Sequence, residues 1–331
     1  MSEKVLETRI NVTQLNMDEV ERQRLWEEKR RYPLHYFENR YQWFSYPKWR
    51  YVAPFPLHVD FEASSNCNLE CPMCFRRHME NTGDFTDMDF DLYKKGIDEC
   101  AENNLYSIRL SWRGESSIHP RIIDMVDYAR EAGIKEISFL SNGSGMNKDF
   151  CMGLIRAGLD YITFSVDGLR ENYNKLRAPL KYDETVANIA LLHGLREENG
   201  GFPRIKVQGI YEFFKGQAAE YYETFKPITD CISFNVKHDY SLRNQKQDEN
   251  LFCPYLWQRI TITANGLIPL CISDWDTEVS IGNLRDQTIK EAWLGEKMTQ
   301  MRKIQEENRR LELSPCQKCI RTKPADVTEL V

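Results

Sequence analysis

Residues 64–75 read SSNCNLECPMCF and set Cys67, Cys71 and Cys74 in a C-x3-C-x2-C run. A 4Fe–4S cluster takes four thiolates, one per iron, and this run supplies three. Three close cysteines hold three irons and leave the fourth open to a ligand from outside the chain. An open iron is a place for chemistry and not only for passing electrons. Zinc is the competing reading: it favours C-x2–4-C pairs and needs a fourth ligand, for which His78 is near.

Working outward, the 331-residue chain has ordinary globular composition and is long enough for one large domain or two smaller ones. Its net charge is −6, with both signs interspersed and no polybasic stripe, which argues against a nucleic-acid partner. No apolar run is long enough to span a bilayer, and the opening MSEKVLETRI is too polar for a signal peptide. No membrane partner and a cytoplasmic location are therefore expected. In a reducing compartment, ten cysteines read as metal ligands or catalytic thiols before disulfides. Seven fall into two sets: the triad above, then Cys253, Cys271, Cys316 and Cys319. Cys100, Cys151 and Cys231 are left over, and core packing is their default role.

Residues 1–55 show no strand pattern and form an N-terminal extension. Within it, 17–31 reads as a charged helix. The aromatic run at 32–51 reads as a wrap over the main domain, with a substrate lid as the alternative. From Pro56 the pattern changes. Strands are expected at 57–62, 107–112, 136–141, 161–166, 206–210 and 232–236. Helices are expected between them at 90–103, 119–132, 147–157, 182–198 and 217–225. This alternation implies βα units and a parallel sheet. Six units fall short of the closed eight-unit barrel of about 250 residues. The expected α/β fold is therefore a partial (β/α)6 barrel over 56–245. Ligands of such folds bind at the C-terminal ends of strands, and the cysteine triad directly follows the first strand. From about 246 the rhythm stops. Segments 259–263 and 267–271 flank Asn265-Gly266, a hairpin signal, and a helix over 288–309 precedes Cys316-x2-Cys319. These features predict a small metal-stabilised domain over 246–331, with a β-hairpin, a helix and little core of its own.

Together these residues resemble the radical S-adenosylmethionine (SAM) superfamily over nearly all of 56–325. Cys67-x3-Cys71-x2-Cys74 matches its cluster motif. Arg113-Gly114-Glu115 resembles its Gly-Gly-Glu motif, Ser141-Asn142-Gly143 follows the third strand, Ser165-x-Asp167-Gly168 ends the fourth, and Tyr173-x3-Arg177 comes next. Cys253-x12-Gly266-x4-Cys271 with Cys316-x2-Cys319 resembles the twitch domain, a shortened SPASM extension. Ile281-Gly282-Asn283 and Glu291-Ala292-Trp293 resemble segments that accompany it. The resemblance implies two 4Fe–4S clusters, one binding SAM and one auxiliary with a complete thiolate set; four-cysteine zinc is the alternative for the second. Arg113 departs from the motif's first glycine, and Met73 stands where many members carry an aromatic residue. Neither removes a ligand to iron. Arg113 is read as reaching toward substrate or pairing with a surface acid.

By the resemblance, SAM is cleaved reductively to a 5′-deoxyadenosyl radical that abstracts hydrogen from substrate. Glu115 would accept from the SAM ammonium, and the planar fork of Arg177 would pair with its carboxylate. Asn142 and Ser165 would bond the ribose or methionine part, and Met73 joins the same cofactor-binding set. Asn142, Ser165 and Asp167 read also as strand-end turn residues. The auxiliary cysteine spacing looks most like that of members that oxidise an aminocyclitol. The expected reaction is a two-electron oxidation, alcohol to ketone, of a sugar, aminocyclitol or similar small polar substrate. The auxiliary cluster would accept the electron, and flavodoxin or ferredoxin would be the external donor. Candidate bases or substrate contacts are Asp274, Asp276, Lys237 and His238, with Asp239 and Tyr240 beside the last two; turn hydrogen bonds are the alternative role of Asp274 and Asp276. Competing functions are radical epimerisation, which needs a thiol at the mouth, peptide modification, and plain electron transfer.

Overall fold

The computed structural model describes residues 9–10, 34–80, 85–238, 240 and 251–319. The helix expected over 17–31 and Asp239 lie outside the described residues. The chain begins with β1 (Arg9–Ile10) and α1 (Leu34–Trp49). It continues through β2 (His58–Phe61), α2 (Phe90–Glu102), β3 (Ser107–Arg109), α3 (Ile122–Glu131), β4 (Glu136–Ser141) and α4 (Lys148–Arg156). Then come β5 (Tyr161–Ser165), α5 (Arg170–Leu176), α6 (Tyr182–Glu198), β6 (Arg204–Ile210), α7 (Ala218–Phe225), β7 (Cys231–Asn235) and β8 (Arg259–Ile262). These strands form one parallel sheet in the order β1-β7-β6-β5-β4-β3-β2-β8. The six expected strands are its centre, in sequential order because each helical crossover returns the chain to the next position.

Side-chain alternation turns this sheet into a partial barrel with a polar lumen. In β4, Ile137 is fully buried away from the lumen, while Glu136, Ser138 and Leu140 line a cavity. In β6, Ile205 and Val207 are buried, while Arg204, Lys206 and Gln208 line the same cavity. A strand reverses its facing at every residue, so one face packs on helices and the other encloses solvent. Local signals start the helices where the pattern changes. The Asp89 side chain accepts from the backbone N–H of Asp91 and Leu92 to open α2, and Asn147 accepts from Phe150 N to open α4.

β1 lies in the extension expected to hold no strand, α5 lies where no helix was expected, and three features of the C-terminal part also differ from expectation. First, β8 is not half of a hairpin: it pairs in parallel with β2, and β9 (Leu267–Pro269) pairs antiparallel with β10 (Ser280–Asn283). The turn at Asn265-Gly266 does form, with Thr263 N donating to Leu267 O at 2.9 Å and Gly266 at φ +93°. However, β8 buries Ile260 and Ile262 and carries Arg259 toward the lumen, a pattern that suits the barrel edge. Second, the single helix over 288–309 is two, α8 (Ile289–Leu294) and α9 (Glu296–Glu306), separated by an extended Gly295. Third, the C-terminal segment does not lack a core. Trp257, Ile268, Leu284 and Trp293 belong to the same buried cluster as Val59, Phe61 and Ile97. The docking is polar as well: Glu99 of α2 accepts from Ile289 N and Lys290 N at the start of α8, and Lys95 donates to Leu284 O.

The aromatic run after residue 33 forms α1 and closes the floor of the barrel. Arg40 donates twice to Glu136 at 2.6 and 2.7 Å, and Trp43 meets the His58 ring edge-on at 6.0 Å. Gln258 donates to Trp43 O at 2.7 Å. Glu136, His58 and Arg259 all begin strands, so α1 sits at the end opposite the cysteine triad and is not a lid. Trp43→Ala is expected to cost about 3 kcal/mol of stability and to leave SAM binding unchanged, as read by chemical denaturation and equilibrium dialysis.

Candidate functional site

The lumen is a cavity of about 2120 Å³ running from the floor to the triad. Ligand pockets ordinarily hold roughly 300–1,000 Å³, so this one has room for a cofactor and a second molecule. Cys67, Cys71 and Cys74 line its mouth. Burial pushes the Cys71 thiol up to about 11, against Arg177, and the charges of Cys74 and Cys67 act on it too. The three cysteines thus share one locality at the mouth beside Arg177, and their chemistry fits an iron–sulfur cluster that they would hold there.

The strand-end residues surround this loop. Gly114 lies so close that a Cβ there would fall 2.3 Å from the carbonyl oxygens of Ser64 and Asn66. Glu115 N donates to Asn66 O at 2.8 Å. The Glu115 carboxylate is buried and accepts from Ser117 N, Ser117 Oγ and Asn142 N. Burial raises its pKa and these donors oppose the shift. Asn142 donates to Asn68 Oδ1 at 2.8 Å, inside the cysteine loop, and accepts from Ser144 N. Arg177 grips Asp167 through Nε and Nη2, and Asp167 also accepts from Ile210 N at 2.8 Å. Ser165 and Met73 line the cavity. Asn142 and Asp167 therefore make loop-fixing hydrogen bonds at the mouth itself.

Arg113 lines the cavity, and the acid it meets is buried rather than at the surface. Its Nε and Nη2 donate to the fully buried Glu62 at 2.7 and 2.6 Å, and its Nη1 donates to Trp275 O at 3.2 Å. Trp112 Nε1 donates to Ile272 O at 2.8 Å. Trp275 stacks on Phe75 at 4.3 Å, and Tyr240 meets Trp275 edge-on at 5.3 Å. Sequence reasoning missed this aromatic junction between the two cysteine loops. The one available signal was a pair of charges, Asp60 and Glu62, in an otherwise apolar strand run.

Behind residues 272–275 lies the second set. Burial raises the Cys271 thiol, and the charges of Cys316, Cys253 and Cys319 add to that, so the four cysteines share one neighbourhood, although among the described residues no group of three or more is drawn together tightly enough to hold a metal ion. Among the described residues that line the cavity, none of these four appears, whereas Ile272, Ser273 and Trp275 do. The set fits a closed cluster behind a wall. Asp274 and Asp276 also face away from the lumen. Asp274 accepts from Glu278 N and Val279 N, and burial pushes its pKa up to about 6; Asp276 accepts from Glu80 N at 2.9 Å. Both carboxylates are used as turn and loop acceptors. Lys237 is exposed with its ammonium over the Phe213 ring, while His238 lines the cavity beside Tyr240.

The radical SAM superfamily model matches residues 61–201, and the SPASM model, an iron–sulfur cluster-binding domain, matches 253–320. The chain carries a radical SAM domain and a SPASM domain. The first implies a SAM-binding 4Fe–4S cluster, and the second implies auxiliary iron–sulfur rather than zinc. A tungsten-containing aldehyde ferredoxin oxidoreductase cofactor-modifying protein from Pyrococcus furiosus is 35% identical over 113 residues, 34% of this chain and 31% of that protein. The match thus spans under a third of that relative. BtrN in complex with AdoMet and 2-DOIA shares the fold at TM-score 0.57 and 17% identity, covering 80% of this chain and 95% of that one. Streptococcus suis SuiB bound to precursor peptide SuiA does so at TM-score 0.57 and 13% identity, covering 87% and 75%. Among the described residues of this radical SAM protein, no helix is long and apolar enough to cross a membrane.

Arg113→Gly, which restores the motif's usual residue, is expected to cost about 3–5 kcal/mol because it strands the buried Glu62. Adding Glu62→Gln should recover part of that loss, as measured by denaturation of the two variants side by side.

Proposed function

We propose that this radical SAM protein oxidises a small polar alcohol, a sugar or aminocyclitol, to a ketone. The observation that carries the reading is the contrast between the two cysteine sets. One lines the lumen, and the other is a full set of four thiols in one neighbourhood off the lumen. A cluster with no vacant iron and no exposure to the lumen suits electron transfer rather than substrate binding. When bound, SAM and its cluster supply a hydrogen-abstracting 5′-deoxyadenosyl radical, and the auxiliary cluster supplies an electron acceptor.

The chain's own residues bind, orient and move a proton. Arg177 Nε and Nη2 are held by Asp167, and the guanidinium so placed would pair with the SAM carboxylate. Glu115, fixed by three donors, would accept from the SAM ammonium. Asn142, Ser165 and Met73 complete the pocket wall. Phe75, Trp275 and Tyr240 form an aromatic rim that keeps water from the reacting carbon. His238, on the lumen beside Tyr240, takes the hydroxyl proton. Overall the carbinol loses one hydrogen atom, one proton and one electron. A reduced flavodoxin or ferredoxin supplies the electron that starts each turnover.

Peptide modification is the second reading. The lumen volume favours it, since about 2120 Å³ exceeds what SAM and an aminocyclitol fill. Reconstituted protein, SAM, dithionite and 2-deoxy-scyllo-inosamine as probe should yield 5′-deoxyadenosine and a ketone together. Cys271→Ala should keep 5′-deoxyadenosine formation and lose the ketone. Solvent deuterium at an inverted carbon, with no ketone, would replace oxidation by epimerisation. His238→Gln should slow ketone formation by about 10²-fold, as read by initial rates of ketone release.

A further inference from the structure

Two polar side chains on the far side of the auxiliary set converge on a single sulfur. Gln305, near the end of α9, is 4% exposed, and its Nε2 donates to Cys316 Sγ at 3.5 Å. Its Oε1 is buried and meets no hydrogen-bond partner among the described residues. Arg310, in the turn Arg310–Glu312, is 2% exposed and lies within hydrogen-bond reach of the same Cys316 thiol. Burying an amide and a guanidinium is costly unless each meets a good acceptor. A neutral cysteine thiol is a weak one. A thiolate ligand carries charge and makes the charge-assisted bond that such donors need. The Gln305 amide is thus placed for a sulfur that is ionised and bound to iron, and it sacrifices its own carbonyl contact to reach it.

Donors on a ligand sulfur have a defined electronic effect. Adding an electron to an iron–sulfur cluster adds negative charge that spreads onto its sulfurs. An N–H dipole and a buried cation beside one sulfur stabilise the reduced form more than the oxidised form. Low surrounding dielectric strengthens both effects, since little water screens them.

We propose that Gln305 and Arg310, acting through Cys316, raise the reduction potential of the auxiliary cluster. They are positioning residues for electron affinity, and neither touches the lumen. The inference rests on the reading of this set as a 4Fe–4S cluster. It supplies that reading with a driving force, because an acceptor of raised potential takes the electron from the substrate radical and holds it.

The test is potentiometric EPR titration of both clusters in the anaerobically reconstituted full chain. Gln305→Met keeps the side-chain length and removes the donor. It should lower the auxiliary electron affinity about tenfold, a downward shift of about 59 mV for a one-electron couple, while the SAM-binding cluster does not move. Gln305→Glu, which replaces the donor by a charge, should lower the auxiliary potential further, and Arg310→Lys should lower it less than Arg310→Met. An unchanged auxiliary potential in Gln305→Met with full iron content, about eight per chain, overturns the proposal. That result stands even where the Arg310 variants fail to fold. Four irons and one zinc in the unmodified protein would overturn both this inference and the functional reading. A lowered potential with undiminished ketone formation would uphold the tuning and remove the acceptor role.

Discussion

Asp60 and Glu62, on β2 and immediately after it, are both fully buried, and a buried carboxylate persists only where cations and N–H donors replace its lost water. Asp60 takes Arg109 from β3 and Arg259 from β8, with His58 at 3.3 Å. Burial alone would raise its pKa, but Arg109 and Arg259 outweigh that and hold it well below the usual carboxylate range. His58 is driven down to about 4 by burial and by Arg259, so at neutral pH it completes the group uncharged. Glu62 takes Arg113 and also accepts from Ala264 N, the residue at which the chain leaves the barrel for the C-terminal unit. These two carboxylates lock β8 beside β2 at one level and the auxiliary loop over the mouth at the next. The geometry between the two cysteine sets follows from that pair of contacts.

How much of this was legible depended on range. Each central strand and every barrel helix but α5 (Arg170–Leu176) was legible locally, because the same residues that form the element also bury it. The triad was legible for a similar reason, as all three ligands fall within one turn-rich loop. The ion pairs were not, since Asp60 finds Arg259 from 199 residues away and no local pattern couples them. The same limit explains the hairpin error. Asn265-Gly266 correctly signals a reversal, but which strand pairs with which is decided by burial across the sheet edge.

Acidic residues near the auxiliary set show a second limit. Asp274 and Asp276 have the chemistry of bases, yet their oxygens are spent on backbone N–H groups of the loop they shape. Residue type tells what a side chain can do, and the neighbouring backbone decides what it does. Arg113 is the opposite case. Its departure from a motif suggested a contact with substrate or with a surface acid, and the acid it pairs with is internal, so that it joins barrel to auxiliary loop.

Gly114 shows what a motif letter is worth. Of the three positions in Arg113-Gly114-Glu115, the middle one is dictated by hard contact: two carbonyl oxygens of the cysteine loop occupy the place where any side chain would begin. The first position faces no such wall, and here it carries the largest cation available and gives it another task. The constraint at these adjacent sites therefore differs by kind: one position is closed by sterics to every side chain, and its neighbour is held by the charge of Glu62. A search pattern that weights the two equally would discard this chain for the substitution that binds its halves together.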